Sequence, residues 1–365
     1  MPRWSLALFL FVALPAAAQP QPVPQPALPR VMVIATGGTI AGVQDAPGTL
    51  GAYRAGTRSV NEIVQSVPEV GRFAEVETEQ FSNVASTEIL PSQWLALSRR
   101  INRLLAQRDD VAGVVVTHGT DRLEETAFFL YLTVKSDRPV VVVGAQRPAT
   151  GISPDGPINL LAAVRTAASR EALGMGVMVV MDDRILSARE SRKLYPRTGG
   201  FSTGEMGMLG IVAGGGPKFF FQPTRRHGTT TEFDVNTIET LPKVELVFSY
   251  PGGDGPRIGD DTEGVVAATT GFSPTERAAF TEIRQRGIVL VQAFPSGDHV
   301  AGGFSRPPPV ADTGQGGPAR PGATQRLPPM VVVQHLLPQK ARILLMLALT
   351  RTKDPREVQR IFDEY

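Results

Sequence analysis

Four short runs of uninterrupted, mostly β-branched apolar residues limit what this chain can fold into. They occupy positions 31–34, 113–116, 140–143 and 176–181, and each is followed by turn residues and a stretch of helical period. Strand-length runs without polar alternation belong to a parallel sheet buried on both faces. The helical stretches fall at 59–66, 91–107, 124–134 and 157–172, with Trp94, Leu95, Leu97, Ile101 and Leu104 on one face of the second. Alternation of strand and helix defines an α/β fold, a mostly parallel sheet with helices on both faces.

Beyond residue 221 this periodicity fades into Thr, Arg and charged residues. Positions 222–243 therefore read as a linker laid over the surface, with Arg225, Arg226 and His227 solvated in it. A smaller α/β set follows, with strands expected at 244–250, 265–269 and 288–292 and helices at 274–286, 338–350 and 355–365. The expected organisation is a larger N-terminal domain at 31–221 and a smaller C-terminal one at 244–365. Between the last strand and the last two helices, 302–329 is too rich in Gly and Pro for sheet or helix and reads as a long loop.

The first 18 residues read as an export signal. Arg3 supplies a positive charge, 4–14 is apolar but far short of the ~20 residues a membrane span needs, and Ala16, Ala17 and Ala18 offer a small-residue cleavage site. Positions 19–30 carry Pro at 20, 22, 24, 26 and 29 and read as an extended tether. The expected location is the periplasm, with no membrane attachment after cleavage; the absence of Cys suits an oxidising compartment. Charge is near balance, 37 Lys and Arg against 35 Asp and Glu, which argues against nucleic acid as a partner. Four His, none paired at metal-ligand spacing, argue against a zinc hydrolase. A small-molecule ligand remains.

Two segments carry chemistry. In the first, a buried strand runs into Thr36-Gly37-Gly38-Thr39-Ile40-Ala41-Gly42. The glycines let the backbone turn and leave the Thr39 hydroxyl at the carboxyl edge of the sheet, where open α/β sheets bind ligands. Their N–H groups are also placed to stabilise an oxyanion. Neither a dinucleotide fingerprint nor a P-loop is present. The second is Thr117-His118-Gly119-Thr120-Asp121, again a strand end with a hydroxyl and a carboxylate, followed by a helix opening near Glu124. A plain helix cap at Asp121 is the alternative reading. His118 reads as a packed, hydrogen-bonded residue. The string Gly200-Phe201-Ser202-Thr203-Gly204 matches the pattern of a serine elbow but lacks the strand before it and the helix after it.

TGGTIAG followed about 80 residues later by VVVTHGTD-x-L-EET resembles the bacterial exported (type II) L-asparaginase and glutaminase-asparaginase family. The similarity runs on through VGAQRP, DGPINL, VVMDD, FDV, LPKVELV and PQKARILLMLALTRTKDP, and covers roughly 31–365. The resemblance implies the two-domain asparaginase-type fold and a threonine amidohydrolase. Such an enzyme converts asparagine, and often glutamine, to the acid and ammonia through an acyl-enzyme. It implies Thr39 as nucleophile, with Tyr53, in a mobile segment 48–57, closing over the substrate and hydrogen-bonding that threonine. Thr120 is implied as the second threonine, which positions or activates water. Asp121 would pair with the substrate's α-ammonium, and Ser86 would contact its α-carboxylate, with Gly38, Thr87 and Gly119 lining the same place. No metal or organic cofactor is implied. The assembly implied is a homotetramer, a dimer of dimers, whose sites are completed by a neighbouring subunit.

Some positions depart from the family pattern. Counting along the helix after DGPINL puts the family's lysine on Arg170, and no lysine lies between Lys135 and Lys193. An arginine there keeps the charge but cannot act as a base. Thr87 replaces a glutamine, Gly253 an asparagine and Arg122 a threonine. A glutamate donated by the neighbouring subunit has no clear counterpart, since 302–329 replaces its surroundings. These departures leave two other readings open: an exported amino-acid-binding protein with little turnover, and an amidase for a modified amide.

Overall fold

In the computed structural model, residues 1, 27–46, 48, 52–298 and 327–365 are described. Residues 2–18 of the signal segment, most of the tether and residues 302–326 of the expected loop lie outside them. Folded structure opens one residue earlier than expected, at Arg30, the first residue of β1 (Arg30–Gly37). Arg30 is drawn into the sheet edge by ion pairs with Glu75, Glu77 and Asp110.

A short 3-10 turn, Thr39–Ala41, leads to an antiparallel pair, β2 (Val43–Gln44) and β3 (Tyr53–Arg54). Then come α1 (Val60–Gln65), β4 (Glu75–Val84), α2 (Pro91–Gln107), β5 (Val111–Thr117), α3 (Leu123–Thr133), β6 (Val140–Val143), α4 (Gly156–Ala167) and β7 (Val177–Met181). The chain then turns back through β8 (Arg184–Ser187), a small ladder of β9 (Arg192–Lys193) and β10 (Phe201–Ser202), and a hairpin of β11 (Gly210–Ala213) and β12 (Gly216–Phe219). Among the described residues the main sheet has eight strands in the order β12-β11-β8-β7-β6-β5-β1-β4. From β7 to β4 neighbouring strands run parallel, and β8, β11 and β12 add an antiparallel flank.

Burial explains the order. The four apolar runs are β1, β5, β6 and β7, at the centre, and their valines are almost fully enclosed. Each such side chain contributes about 1.5–3 kcal/mol by leaving water. β4 was not expected as a strand because its sequence, EVETEQFSNV, is largely polar. It is an edge strand, where charge is tolerated, and Glu77 and Glu79 pair with Arg108 and Arg100 on one face. α2 presents Trp94, Leu95, Leu97, Ile101 and Leu104 inward, as its period predicts. α3 is buried on every side, packed between α2, the sheet and the helix at Pro338–Leu349.

The smaller parallel sheet consists of β13 (Val244–Phe248), β14 (Gly264–Ala268), β15 (Val289–Ala293) and β16 (Val331–Val332). Helix α5 (Pro274–Gln285) packs on β15, and α6 (Pro338–Leu349) and α7 (Pro355–Glu364) close the chain. α6 is shared: it packs on β13 and β14 and also on α3, so its side chains are buried nearly all round. The stretch 222–243 is more than a solvated cover. Phe233 and Val235 are buried in the main core, Arg226 pairs with Glu232 and Glu364, and the His227 ring packs at a tilt against Tyr131.

Candidate active site

The site is built where the carboxyl ends of β1 and β5 meet. β1 ends in Gly37 and Gly38, with φ of 110° and 84°, a region that side chains other than glycine's rarely enter. The need for Gly38 is also one of space. A Cβ there would lie 2.2 Å from the Cα of Gly119, and one on Gly119 would lie 2.8 Å from the Ser86 Oγ. The loops after β1 and β5 thus touch backbone to backbone, the loop after β4 meets Gly119 through the Ser86 side chain, and Thr39, Ser86 and Thr120 are brought together, all buried.

The Gly38 N–H donates to the Val84 carbonyl, so it ties β1 to β4 and is not the oxyanion donor the sequence suggested. Thr39 stands in the turn after it, and its Oγ lies 2.7 Å from the Tyr53 hydroxyl. The Tyr53 ring packs against Gly42, where a Cβ would come within 2.8 Å of it. Bonds from Gly56 N to Gly38 O and from Thr57 N to Ala41 O hold the chain around Tyr53 over the turn.

The second threonine has a partner that sequence reasoning placed elsewhere. The Lys193 Nζ, brought in by β9, donates to the Thr120 Oγ at 2.8 Å and to the Asp121 Oδ1 at 2.6 Å. Thr120 in turn faces the Gln146 Oε1 at a longer 3.4 Å. Arg170 is not at this site. It is exposed, in the 3-10 turn Arg170–Ala172 that precedes β7, at the opposite end of the parallel strands and in contact with β12. The count along α4 fails because α4 ends at the amino edge, and the lysine that meets Thr120 comes only after β7 and the antiparallel β8.

A second ring of contacts holds these groups. The Asp155 carboxylate accepts from the backbone N–H groups of Gln146 and Arg147, and Asn159 donates to Asp155 and to the Gly144 carbonyl. The DGPINL segment therefore shapes the loop that carries Gln146. Glu124, buried at the start of α3, accepts from the Lys193 backbone N–H at 2.5 Å. His118 is fully buried, with its Nδ1 2.8 Å from the Gly119 carbonyl, and burial lowers its pKa to about 4. It is a neutral packing residue, as the sequence suggested, that fixes the Gly119 peptide. Ser202 lies on β10 with its Oγ accepting from the Gly204 N–H, and only a single 3-10 turn follows, so no nucleophile elbow is built.

Residues 30–225 match the family model described as Asparaginase, N-terminal. The chain belongs to the asparaginase family. It is 40% identical to L-asparaginase 2 of Bacillus subtilis over 350 residues, covering 93% of this chain and 87% of that protein. It is 38% identical to the glutaminase-asparaginase of Pseudomonas fluorescens over 374 residues, covering 98% and 97% of the two chains. Among solved structures, a probable cytoplasmic L-asparaginase from Campylobacter jejuni superposes with a TM-score of 0.79 at 35% identity, over 92% of this chain and 99% of that one.

Within this asparaginase the remaining expected residues are divided. Ser86 is buried, and its Oγ accepts from the Arg122 N–H at 3.3 Å. Thr87 is exposed on the 3-10 turn Ser86–Glu88. The Arg122 side chain turns away to Glu125. Gly253 sits in the turn after β13, where a Cβ would approach Tyr250 and Glu276. The two residues that sequence reasoning missed are Lys193 and Gln146. Lys193 ends a two-residue strand that follows an irregular turn, with no periodicity. Its one legible signal is that it is the first lysine after Lys135.

Proposed function

We propose that this chain is a threonine amidohydrolase that hydrolyses the side-chain amide of L-asparagine, and also of L-glutamine, to the acid and ammonia. The observation that carries the reading is the pairing of two buried threonines, one with a phenol and one with an ammonium. Thr39 lies 2.7 Å from the Tyr53 hydroxyl, and Thr120 lies 2.8 Å from the Lys193 ammonium nitrogen. A threonine hydroxyl is a weak nucleophile without such a partner.

In this reading the Thr39 Oγ attacks the amide carbon while its proton passes by way of Tyr53 to the departing nitrogen. The C–N bond breaks, ammonia leaves, and an ester on Thr39 remains. Water held at Thr120 then attacks the ester carbon. Its proton returns to the Thr39 oxygen as the ester bond breaks, and Lys193 holds the Thr120 hydroxyl in position. Asp121 receives the substrate's α-ammonium, and Ser86, with Gly119 and Thr87 beside it, receives the α-carboxylate, since buried ligand charge needs such partners. The binding-protein reading loses its main support, because the amine that Arg170 lacks is supplied by Lys193.

The mature chain is read as exported, on the N-terminal segment alone. The Campylobacter jejuni relative is described as a probable cytoplasmic L-asparaginase, so family membership does not set the compartment. Among the described residues no helix is long and apolar enough to cross a membrane. The division into domains at 31–221 and 244–365, and a homotetramer, are carried in the same proposal. Exposed Phe220, Phe221, Phe248 and Tyr250 suit buried subunit contacts. Sedimentation giving only monomer would remove the tetramer.

The test is ammonia release by residues 19–365 with L-Asn, L-Gln and their D-isomers, beside Thr39→Ala. Release that vanishes in Thr39→Ala supports the proposal. Folded protein that releases none from any of them overturns it.

A further inference from the structure

We propose that Lys340, aided by Gln339, is the positioning residue for Lys193, a latch at the amino end of α6 that sets where the Lys193 ammonium stands between Thr120 and Asp121. This rests on the reading of Lys193 as the partner of Thr120 in amide hydrolysis. Lys340 is fully buried in the interior. Its Nζ donates to the carbonyls of Ala188, Arg189 and Ser191 at 2.8, 2.9 and 2.5 Å. These three belong to the irregular turn that joins β8 to β9 and ends, two residues after Ser191, at Lys193. An ammonium has three N–H donors, and all three are used on this one turn.

Gln339 completes the latch from the next position. Its Nε2 donates to the Glu124 Oε1 at 2.8 Å, while the Glu124 Oε2 accepts from the Lys193 backbone N–H. Glu124 opens the helix that follows Thr120 and Asp121, so Gln339 and Glu124 link both sides of the Lys193 contact. α6 thus grips the lysine-bearing turn through Lys340 and the threonine-bearing loop through Gln339. The turn is further fixed by Arg189, which donates to the carbonyls of Tyr365 and His335.

Burying an ammonium costs several kcal/mol unless its donors are satisfied. A methionine or leucine would fill the same space more cheaply, and neither would order three carbonyls. The charged groups facing Lys340 are Glu124, Glu190 and Glu125, which favour its ammonium, and Arg189, which opposes it; the Phe128 ring lies 5.6 Å away. Burial outweighs the three carboxylates and brings its pKa down to about 8. Above that pH the neutral amine has two donors for three carbonyls, and the turn loses one tie.

The test uses Lys340→Met in the mature chain, with Thr39→Ala and Lys193→Met as controls. Misplacing Lys193 should lower kcat about 10- to 100-fold with KM nearly unchanged. The parent is expected to lose kcat between pH 7 and 9, and that fall should flatten in Lys340→Met. With lysine labelled at Cε, the six signals of Lys135, Lys193, Lys218, Lys243, Lys340 and Lys353 can be assigned by substitution, and that of Lys193 should move. If Lys340→Met does not fold, Gln339→Leu removes one hydrogen bond and should lower kcat about 2- to 10-fold. A folded Lys340→Met or Gln339→Leu with parental kcat, pH profile and Lys193 signal overturns the latch. Parental activity in Lys193→Met would instead overturn the reading beneath it, and the Lys193 signal would still decide the latch.

Discussion

Gly38 and Gly119 meet with no room for a side chain between them, a Cβ on Gly38 falling 2.2 Å from the Gly119 Cα. The loops bearing Thr39 and Thr120 owe their adjacency to this contact. Gly38→Ala adds both that clash and a disfavoured backbone at φ 84°. It should cost about 3 kcal/mol or more of stability and abolish activity, as measured by denaturant unfolding and ammonia release. Gly119→Ala meets the Ser86 side chain at 2.8 Å and should be milder in stability, with its main effect in KM.

Lys193 and Arg170 make a sharper pair of variants, because each has been a candidate for the same task. Lys193→Met removes the donor 2.8 Å from the Thr120 hydroxyl and should lower kcat about 10²- to 10⁴-fold. Arg170→Met, at the far end of the strands, should leave kcat and KM within about twofold, in line with surface substitutions generally. Steady-state kinetics on the two variants decides between the helix count and the geometry.

Tyr53→Phe deletes only the hydroxyl 2.7 Å from the Thr39 Oγ, and leaves the ring to pack on Gly42. With the packing retained, stability should change by less than about 1 kcal/mol. The acyl-enzyme should form about 10²- to 10⁴-fold more slowly, since the path for the Thr39 proton is gone. Single-turnover measurement of ammonia release checks this. An unchanged rate would remove Tyr53 from the proton path.

Much of this was legible in the chain itself, and the limits are physical. β1, β5, β6 and β7 announce themselves because both their faces are buried. β4 hides because an edge strand exposes one face, which here carries Glu75, Glu77 and Glu79 for Arg30, Arg108 and Arg100. Thr39, Thr120 and Asp121 were readable because each follows directly on a strand end. Lys193 lies 73 residues from Thr120 and reaches it by crossing the sheet, a path no local period records. The inward turn at Phe233 and Val235 was masked by the polar residues around it.

His118 separates packing from chemistry by pH. It is fully buried, with the Nδ1 at the Gly119 carbonyl, and its pKa falls from 6.5 to about 4 because burial disfavours the charged ring. The unfolded chain therefore binds a proton at this residue between pH 6.5 and 4, and the folded chain does not. Stability that is fully present above pH 6.5 is lost as pH falls toward 4, by about 3 kcal/mol for this group. His118→Asn keeps an N–H donor near the Nδ1 position and does not titrate. The parent should hold its greatest advantage over His118→Asn at pH 7, and the gap should close by pH 4 in thermal unfolding followed across that range. A gap that stays constant with pH would mean that His118 takes up its proton alike in the folded and unfolded chains, so that its ring is reached by water.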